Sequence, residues 1–271
     1  MSVEIKTFDD VGYNTNGTYV QAMSAFTKER YYPLEMIPIM VKIIEAINSK
    51  DKAKIDFWFN YHGIDSACPV GVYRGRFVVN HHASKLNLEI NENTRLGSSG
   101  YRYSLTENRL QLLEYEGSNI LDISDNYWLN QDLSRKQAKD NWNKWFSKLS
   151  DTNKLMVCGR ELTEKEILDE YISSVFDFIN IEDDGKDRAM GLFIGEENGL
   201  GALTICKQGN YKSTDFNGSN AHLVGIFKDK NAKYNIDESS FLKRFGLDSI
   251  ITAGNISREY IKLNKLYHYR R

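Results

Sequence analysis

Residues 70–80, VGVYRGRFVVN, are the stretch that most clearly indicates the fold. β-branched and aromatic side chains dominate it, which is typical of a β-strand. Shorter runs of the same kind surround it, separated by turn-forming residues, at 55–61, 85–90, 101–105, 110–116 and 120–123. We therefore predict an antiparallel β-meander over about residues 54–124, with hairpin loops at 106–109 and 116–119.

Two amphipathic helices are predicted after the meander, over about residues 134–149 and 163–179. Each begins with the spacing of a capping box, Ser134 three residues before Gln137 and Thr163 three residues before Glu166. In a capping box the hydroxyl and the carboxylate or amide side chain satisfy each other's free backbone amides. We expect both helices to pack on the sheet.

The N-terminal segment is predicted to be loop with a short helix over 20–26, followed by a longer helix that begins near Pro38. Further strands are predicted in the second half of the chain, at 154–158, 189–195, 201–207 and 222–228. The fold class is therefore α+β with a mainly antiparallel sheet. We predict a single domain over 1–271, and a division into 1–130 and 131–271 remains open.

The composition excludes several classes of protein. The 271 residues include 35 basic and 37 acidic side chains, so no overall positive charge favours a coat on nucleic acid or on an anionic membrane. The most apolar stretch, residues 36–47, contains charged residues and is too short to span a bilayer, so we expect a soluble chain without membrane insertion. Three cysteines without a CxxC pair favour a cytoplasmic location over a disulfide scaffold.

No metal site is expected from the sequence. His81 and His82 are adjacent, and adjacent residues of a strand point to opposite faces, so the pair cannot chelate one ion. The acidic run at 182–187 lacks the order of a calcium-binding loop and is typical of a solvated turn. Cys158 and Cys206 are expected to be buried strand residues.

One constellation in the meander suggests a specific chemistry. Arg74 in the sequence VYRG is followed by Ser98 and Ser99 and then by Glu114 and Glu116 in EYE, all on predicted strands. This order of arginine, serine and E-x-E resembles the signature of the arginine-serine-glutamate class of mono-ADP-ribosyltransferases. The resemblance implies an enzyme that uses NAD as co-substrate, of the kind found among effectors and toxins.

The resemblance also implies roles for these residues. Arg74 would clamp the NAD phosphates or ribose, and Ser98 or Ser99 would support the arrangement. Glu116 would stabilise the ribosyl cation, and Glu114 would activate the acceptor. The chemistry is consistent, because a guanidinium fork holds a diphosphate and a fixed carboxylate stabilises an oxocarbenium-like centre. The residues expected to contact the substrate are Tyr73, His81, Arg102 and Tyr103.

Two other functions remain open. Tyrosines and tryptophans in loop-like segments favour a non-catalytic module that binds a protein partner, as in an inhibitor, immunity protein or effector; these are Tyr31, Tyr32, Tyr101, Tyr103, Tyr127 and Trp128. Arginines gathered in the meander favour local contact with nucleic acid; these are Arg74, Arg76, Arg95, Arg102 and Arg109. The sequence does not indicate an oligomeric state.

Overall fold

The computed structural model describes residues 3–17, 19–29, 31–60, 63–74, 76–81, 96–97, 100–101, 103–104, 107–115, 119–122, 135–178, 191–193, 199–206 and 221–227. The helices are α1 Tyr19–Lys28, α2 Met36–Ser49, α3 Lys52–Ile55, α4 Glu107–Tyr115, α5 Arg135–Trp145 and α6 Glu164–Phe178. The strands are β1 Ile5–Phe8, β2 Val11–Asn14, β3 Tyr31–Pro33, β4 Gly63–Tyr73, β5 Arg76–Val79, β6 Leu96–Gly97, β7 Gly100–Tyr101, β8 Tyr103–Ser104, β9 Asn119–Asp122, β10 Lys154–Val157, β11 Arg160–Thr163, β12 Gly191–Phe193, β13 Gly199–Cys206 and β14 Ala221–Phe227. The α+β fold class is confirmed.

Ten of the described strands form one sheet whose central path is β1-β2-β14-β4-β13-β12. Strands β3, β5, β8 and β9 pair at the side of this path. All pairings in the sheet are antiparallel except that of β14 with β4, which is parallel. The prediction of a mainly antiparallel sheet is therefore confirmed for the described strands.

The meander is present in part. Strands β4, β5 and β9 are antiparallel neighbours in the sheet, although β6, β7, β8 and α4 lie between β5 and β9 in the chain. The run predicted at 70–80 divides into the end of β4 and all of β5, because Tyr73 and Arg76 are register partners across a two-residue turn. The predicted strand at 85–90 lies outside the described residues.

Two predicted strands are helical instead. Residues 55–61 were expected to be a strand, but α3 continues directly into a π-helical turn, Asp56–Asn60. Asp51 starts this segment as an N-cap, since its carboxylate accepts from the amides of Ala53 and Lys54. The predicted hairpin loop at 106–109 and strand at 110–116 are also wrong, because α4 spans Glu107–Tyr115.

The predicted helices are confirmed, and they pack partly on each other. Helix α2 begins at Met36, which places Pro38 in its first turn, and most of its side chains are buried. Helix α6 packs along α2, and α2 contacts β4. The packing expected between α6 and the sheet is thus replaced in part by helix–helix contact, which buries the apolar stripe from Ile167 to Phe176.

The N-terminal segment contains strands where loop was predicted. Strands β1 and β2 form a hairpin, and β14 lies between β2 and β4. Gly12 and Gly225 are register partners on β2 and β14. A Cβ at Gly225 would lie 2.6 Å from the Tyr32 carbonyl oxygen and 2.7 Å from the Phe26 ring, so the close approach of β3 and α1 requires glycine there.

The described residues belong to a compact unit that spans Met1–Lys228. Within it, β4 from the first half of the chain pairs with β13 and β14 from the second half. A single domain over 1–271 and the open division near residue 130 stay predictions.

Candidate functional site

The turn between β4 and β5 places an arginine in an unusual backbone conformation. Arg74 has a φ of 46°, in the left-handed region that residues other than glycine, asparagine and aspartate rarely adopt. A positive φ suits the first position of a two-residue hairpin turn. The Arg74 side chain is 72% exposed, so its charge faces solvent at the end of the hairpin. A strained residue on such a turn is a feature that often accompanies function.

Helix α4 presents two carboxylates to this turn. Glu107 and Glu114 are seven residues apart, which places them on the same face of the helix about two turns from each other. Leu110 lies between them in the sequence and is fully buried, so it anchors the helix. Both glutamate side chains are just under half exposed.

The two arginines and the two glutamates form one group, which we call the charge cluster: Arg74, Arg76, Glu107 and Glu114. Arg76 lies between the glutamates, with Nη2 3.7 Å from Glu107 Oε1 and Nη1 3.9 Å from Glu114 Oε1. Glu107 also contacts Arg74, with Oε2 3.9 Å from Nη1. These separations exceed the usual hydrogen-bond length of about 2.7–3.2 Å, so the contacts are electrostatic and open to competition.

The structure thus brings together part of the predicted transferase site. Arg74 and Glu114 belong to the same cluster and are connected through Arg76 and Glu107. Glu114 lies on a helix, however, and not on a strand as the prediction required. Ser98, Ser99 and Glu116 lie outside the described residues, so their convergence with Arg74 stays a prediction.

The residues predicted to contact substrate occupy different places. Tyr73 is the last residue of β4, and Tyr103 is the first residue of β8, paired with Leu200. His81 is only 2% exposed, and its ring lies 6.3 Å from that of Phe146. Arg102 lies outside the described residues.

The alternative functions also map onto the structure in part. Of the five arginines considered for nucleic acid, Arg74 and Arg76 lie together, and Arg109 is on α4. Arg95 and Arg102 lie outside the described residues. Tyr31 and Tyr32 are on β3 and are partly buried, and Tyr31 packs against the ring of Phe26.

Sequence reasoning missed two members of the charge cluster. Arg76 was considered only for nucleic acid, and Glu107 was placed in a hairpin loop. The spacing of Glu107, Leu110 and Glu114 fits one face of a helix and could have indicated their common orientation.

The buried cysteine next to His81 has a structural role. Cys68 Sγ accepts from the Met36 amide at 3.2 Å and donates to the His81 carbonyl oxygen at 3.0 Å. The thiol therefore satisfies a free amide at the start of α2. Burial, and secondarily the Glu35 carboxylate, raises the pKa of Cys68 well above its ordinary value, which keeps the sulfur protonated and unreactive.

The second described cysteine corrects an expectation. Cys158 is exposed on the turn between β10 and β11, where its φ of 49° and the φ of 80° at Gly159 form a tight hairpin turn. It is therefore not a buried strand residue. Cys206 is the last residue of β13.

Two other kinds of feature are absent from the described ranges. No three His, Cys, Asp or Glu side chains there lie close enough together to hold a metal ion. None of the helices in those ranges combines the length and the apolar character needed to cross a membrane. The acidic run at 182–187 lies outside the described residues.

Comparison of the chain with protein-family models, with curated proteins and with solved structures found no match. The charge cluster is therefore the candidate site on the basis of the chain's own residues.

Proposed function

We propose that this protein is a mono-ADP-ribosyltransferase-like enzyme of the effector or toxin kind, which uses NAD as co-substrate at the charge cluster. The observation that supports the proposal is the position of Arg76 between Glu107 and Glu114, next to Arg74. Two guanidinium groups, each within 4 Å of a carboxylate, are part of the set of side chains that this chemistry needs.

The mixed charge of the cluster favours NAD over a nucleic-acid strand. NAD has a negative diphosphate, and its ribose becomes positively charged as the bond to nicotinamide breaks. Guanidinium groups hold phosphate oxygens in a planar fork, and carboxylates stabilise the developing cation. A nucleic-acid strand carries a uniform negative charge and offers no developing cation for the carboxylates to stabilise.

The proposed reaction is a displacement at the anomeric carbon of the ribose. The bond from this carbon to the nicotinamide nitrogen breaks, and its electron pair leaves with neutral nicotinamide. A nucleophilic atom of the acceptor forms the new bond to the same carbon and loses its proton to a carboxylate. Following the resemblance, Glu116 stabilises the cation and Glu114 accepts the proton.

The conformation of Arg74 gives independent support. A non-glycine residue in the left-handed region costs about 1–3 kcal/mol relative to a relaxed backbone. Asparagine or glycine would form this turn more easily. An arginine at this position is therefore explained better by its charge than by the stability of the turn.

The test is NAD binding and nicotinamide release by the purified full chain. We expect Arg76→Ala to weaken NAD binding about tenfold or more, since a hydrogen bond to a charged group contributes about 1.5–3 kcal/mol. Arg74→Asn should also weaken binding while preserving the turn. Glu116→Gln should slow nicotinamide release with or without an acceptor, whereas Glu114→Gln should slow transfer more than hydrolysis.

Arg160→Ala is the matched control, because Arg160 is also exposed and paired with a glutamate, Glu170, at 2.8 Å. We expect it to leave NAD binding unchanged. Absence of NAD binding by the unmodified chain, or equal losses in Arg76→Ala and Arg160→Ala, would contradict the proposal.

A protein-binding module is the second candidate, and the exposure of Arg74 favours it, because an exposed charge can pair with a partner's surface. In that case Arg74→Asn would weaken capture of a stoichiometric partner, and no NAD turnover would occur. A cytoplasmic location is part of either proposal.

A further inference from the structure

We infer that Glu107 is an internal competitor for the anion-binding arginines, so that the charge cluster is held in a self-inhibited state until an anionic ligand displaces this carboxylate. The inference rests on the proposed binding of a diphosphate by Arg74 and Arg76. It does not depend on the transfer reaction.

The contacts of Glu107 resemble those of a bound phosphate. One carboxylate oxygen, Oε1, faces Nη2 of Arg76, and the other, Oε2, faces Nη1 of Arg74. A phosphate group that bridges two guanidinium groups also uses a separate oxygen for each. Glu107 thus occupies the position between the arginines that a bridging anion requires.

Glu107 can be displaced at small cost. Its contacts of 3.7 and 3.9 Å are longer than hydrogen bonds, and exposed ion pairs contribute little to stability. As the first residue of α4, Glu107 remains favourably placed at the positive end of the helix when it leaves the arginines. A phosphate, which forms shorter charge-assisted hydrogen bonds, therefore outcompetes it.

Glu114 has a different place in the cluster. Its Oε1 lies 3.9 Å from Nη1 of Arg76, whereas Oε1 of Glu107 lies 3.7 Å from Nη2 of the same guanidinium group. An anion that displaces Glu107 can thus bind both arginines while Glu114 still holds Arg76 from the other side. The two carboxylates therefore have separable roles, Glu107 in competition and Glu114 in orientation.

The experiment is calorimetric titration of inorganic pyrophosphate into the full chain and its variants at low salt. We expect Glu107→Gln to bind pyrophosphate about two- to fivefold more tightly, the range that corresponds to removing an exposed ion pair. Gln has nearly the same helix propensity as Glu, so α4 should persist. Glu107→Asp keeps the charge and should stay closer to the unmodified chain.

Glu161→Gln is the matched control, because it removes one exposed carboxylate from β11, away from α4 in the sequence. It tests whether tighter binding reflects only the change in net charge. Equal tightening in Glu161→Gln and Glu107→Gln would overturn the inference. Unchanged or weaker binding by Glu107→Gln would also overturn it, since Glu107 would then position the arginines.

The two proposals fail in distinguishable ways. If Glu107→Gln tightens pyrophosphate binding but no variant releases nicotinamide from NAD, the result supports Glu107 as a competitor and contradicts the transferase activity. If the unmodified chain turns over NAD and Glu107→Gln binds pyrophosphate no more tightly, the result supports the transferase activity and contradicts Glu107 as a competitor. Absence of pyrophosphate binding in every variant overturns the inference.

Discussion

Thr163 and Glu166 form a complete capping box at the start of α6. The Glu166 carboxylate accepts from the Thr163 amide at 2.7 Å, and the Thr163 hydroxyl oxygen accepts from the Glu166 amide at 3.3 Å. The hydrogen bonds from Thr163 lower the pKa of Glu166. All of these contacts lie within four consecutive residues, so the sequence spacing alone could predict them.

We expect Thr163→Ala to lower the free energy of unfolding by about 1 kcal/mol at neutral pH, because an amide at the start of α6 loses its acceptor. Urea denaturation measures this change. The Thr163 hydroxyl also donates to the Glu166 carboxylate at 2.9 Å, and this part of the difference is lost as pH falls through the lowered pKa of Glu166. The difference should therefore shrink in acid without vanishing, because the loss of the acceptor for the Glu166 amide does not depend on pH. A difference that grows in acid would contradict the assigned cap.

The charge cluster could be predicted only in part at the residue level. Arg74 and Glu114 were selected through a sequence pattern, but their actual neighbours, Arg76 and Glu107, depend on how the hairpin and α4 approach each other. Such an approach joins residues more than 30 positions apart. Local spacing contains no information about it, so the contacts of Arg76 had to come from the structure.

At the level of elements, sequence patterns were ambiguous where a short apolar run fits both the alternation of a strand and the periodicity of a helix. The pattern predicts a strand over 110–116 after a hairpin loop, but Glu107, Leu110 and Glu114 also follow the helical period. Leu, Gln and Glu have high helix propensity, so they favour the helix. In contrast, α6 has 15 residues and a cap, and its prediction was confirmed.

Gly225 allows β14 to approach β3 and α1, and its replacement tests this packing. We expect Gly225→Ala to lower the free energy of unfolding by about 2 kcal/mol or more, because the Tyr32 carbonyl cannot move without displacing β3. Thermal or urea denaturation gives the value.

Gly159→Ala is the comparison variant for Gly225→Ala. Gly159 has open space around its Cβ position, so the substitution there adds only backbone strain of about 1–2 kcal/mol from its positive φ. If Gly225→Ala destabilises the protein less than Gly159→Ala does, the close approach of the strands is wrong.

At the level of the whole molecule, ion pairs connect the N-terminal hairpin to the helices. Asp10 lies 2.8 Å from Lys42 of α2, and Asp9 lies 2.7 Å from Lys54 of α3. The hydrogen bond from Lys54 lowers the pKa of Asp9 below its ordinary value of 3.8. The turn between β1 and β2 is therefore held to the helices by two ion pairs, and acid removes the charge of Asp9 from one of them.

We expect Asp9→Asn to destabilise the fold slightly at neutral pH, by less than Thr163→Ala does, since the pair is exposed. Asparagine tolerates the φ of 53° at this position, so the turn should be preserved. A carboxyl with a lowered pKa stabilises the folded state above its unfolded-state pKa and ceases to do so as pH falls through the folded-state pKa.

The measurement for Asp9→Asn is urea denaturation at neutral pH and at a pH well below 3.8, beside the unmodified chain. The stability difference should be present at neutral pH and absent in acid. A difference that does not depend on pH would show that Asp9 acts through the turn and not through its charge.

The position of β14 also has a consequence for how the chain folds. Residues 221–227 pair with β2, β3 and β4, which lie between residues 11 and 73. About 150 further residues must be synthesised after these strands before β14, their central neighbour in the sheet, leaves the ribosome. Such long-range pairing slows folding and leaves strand edges open to association with other chains. We therefore expect the nascent chain to need protection by chaperones until β14 is inserted.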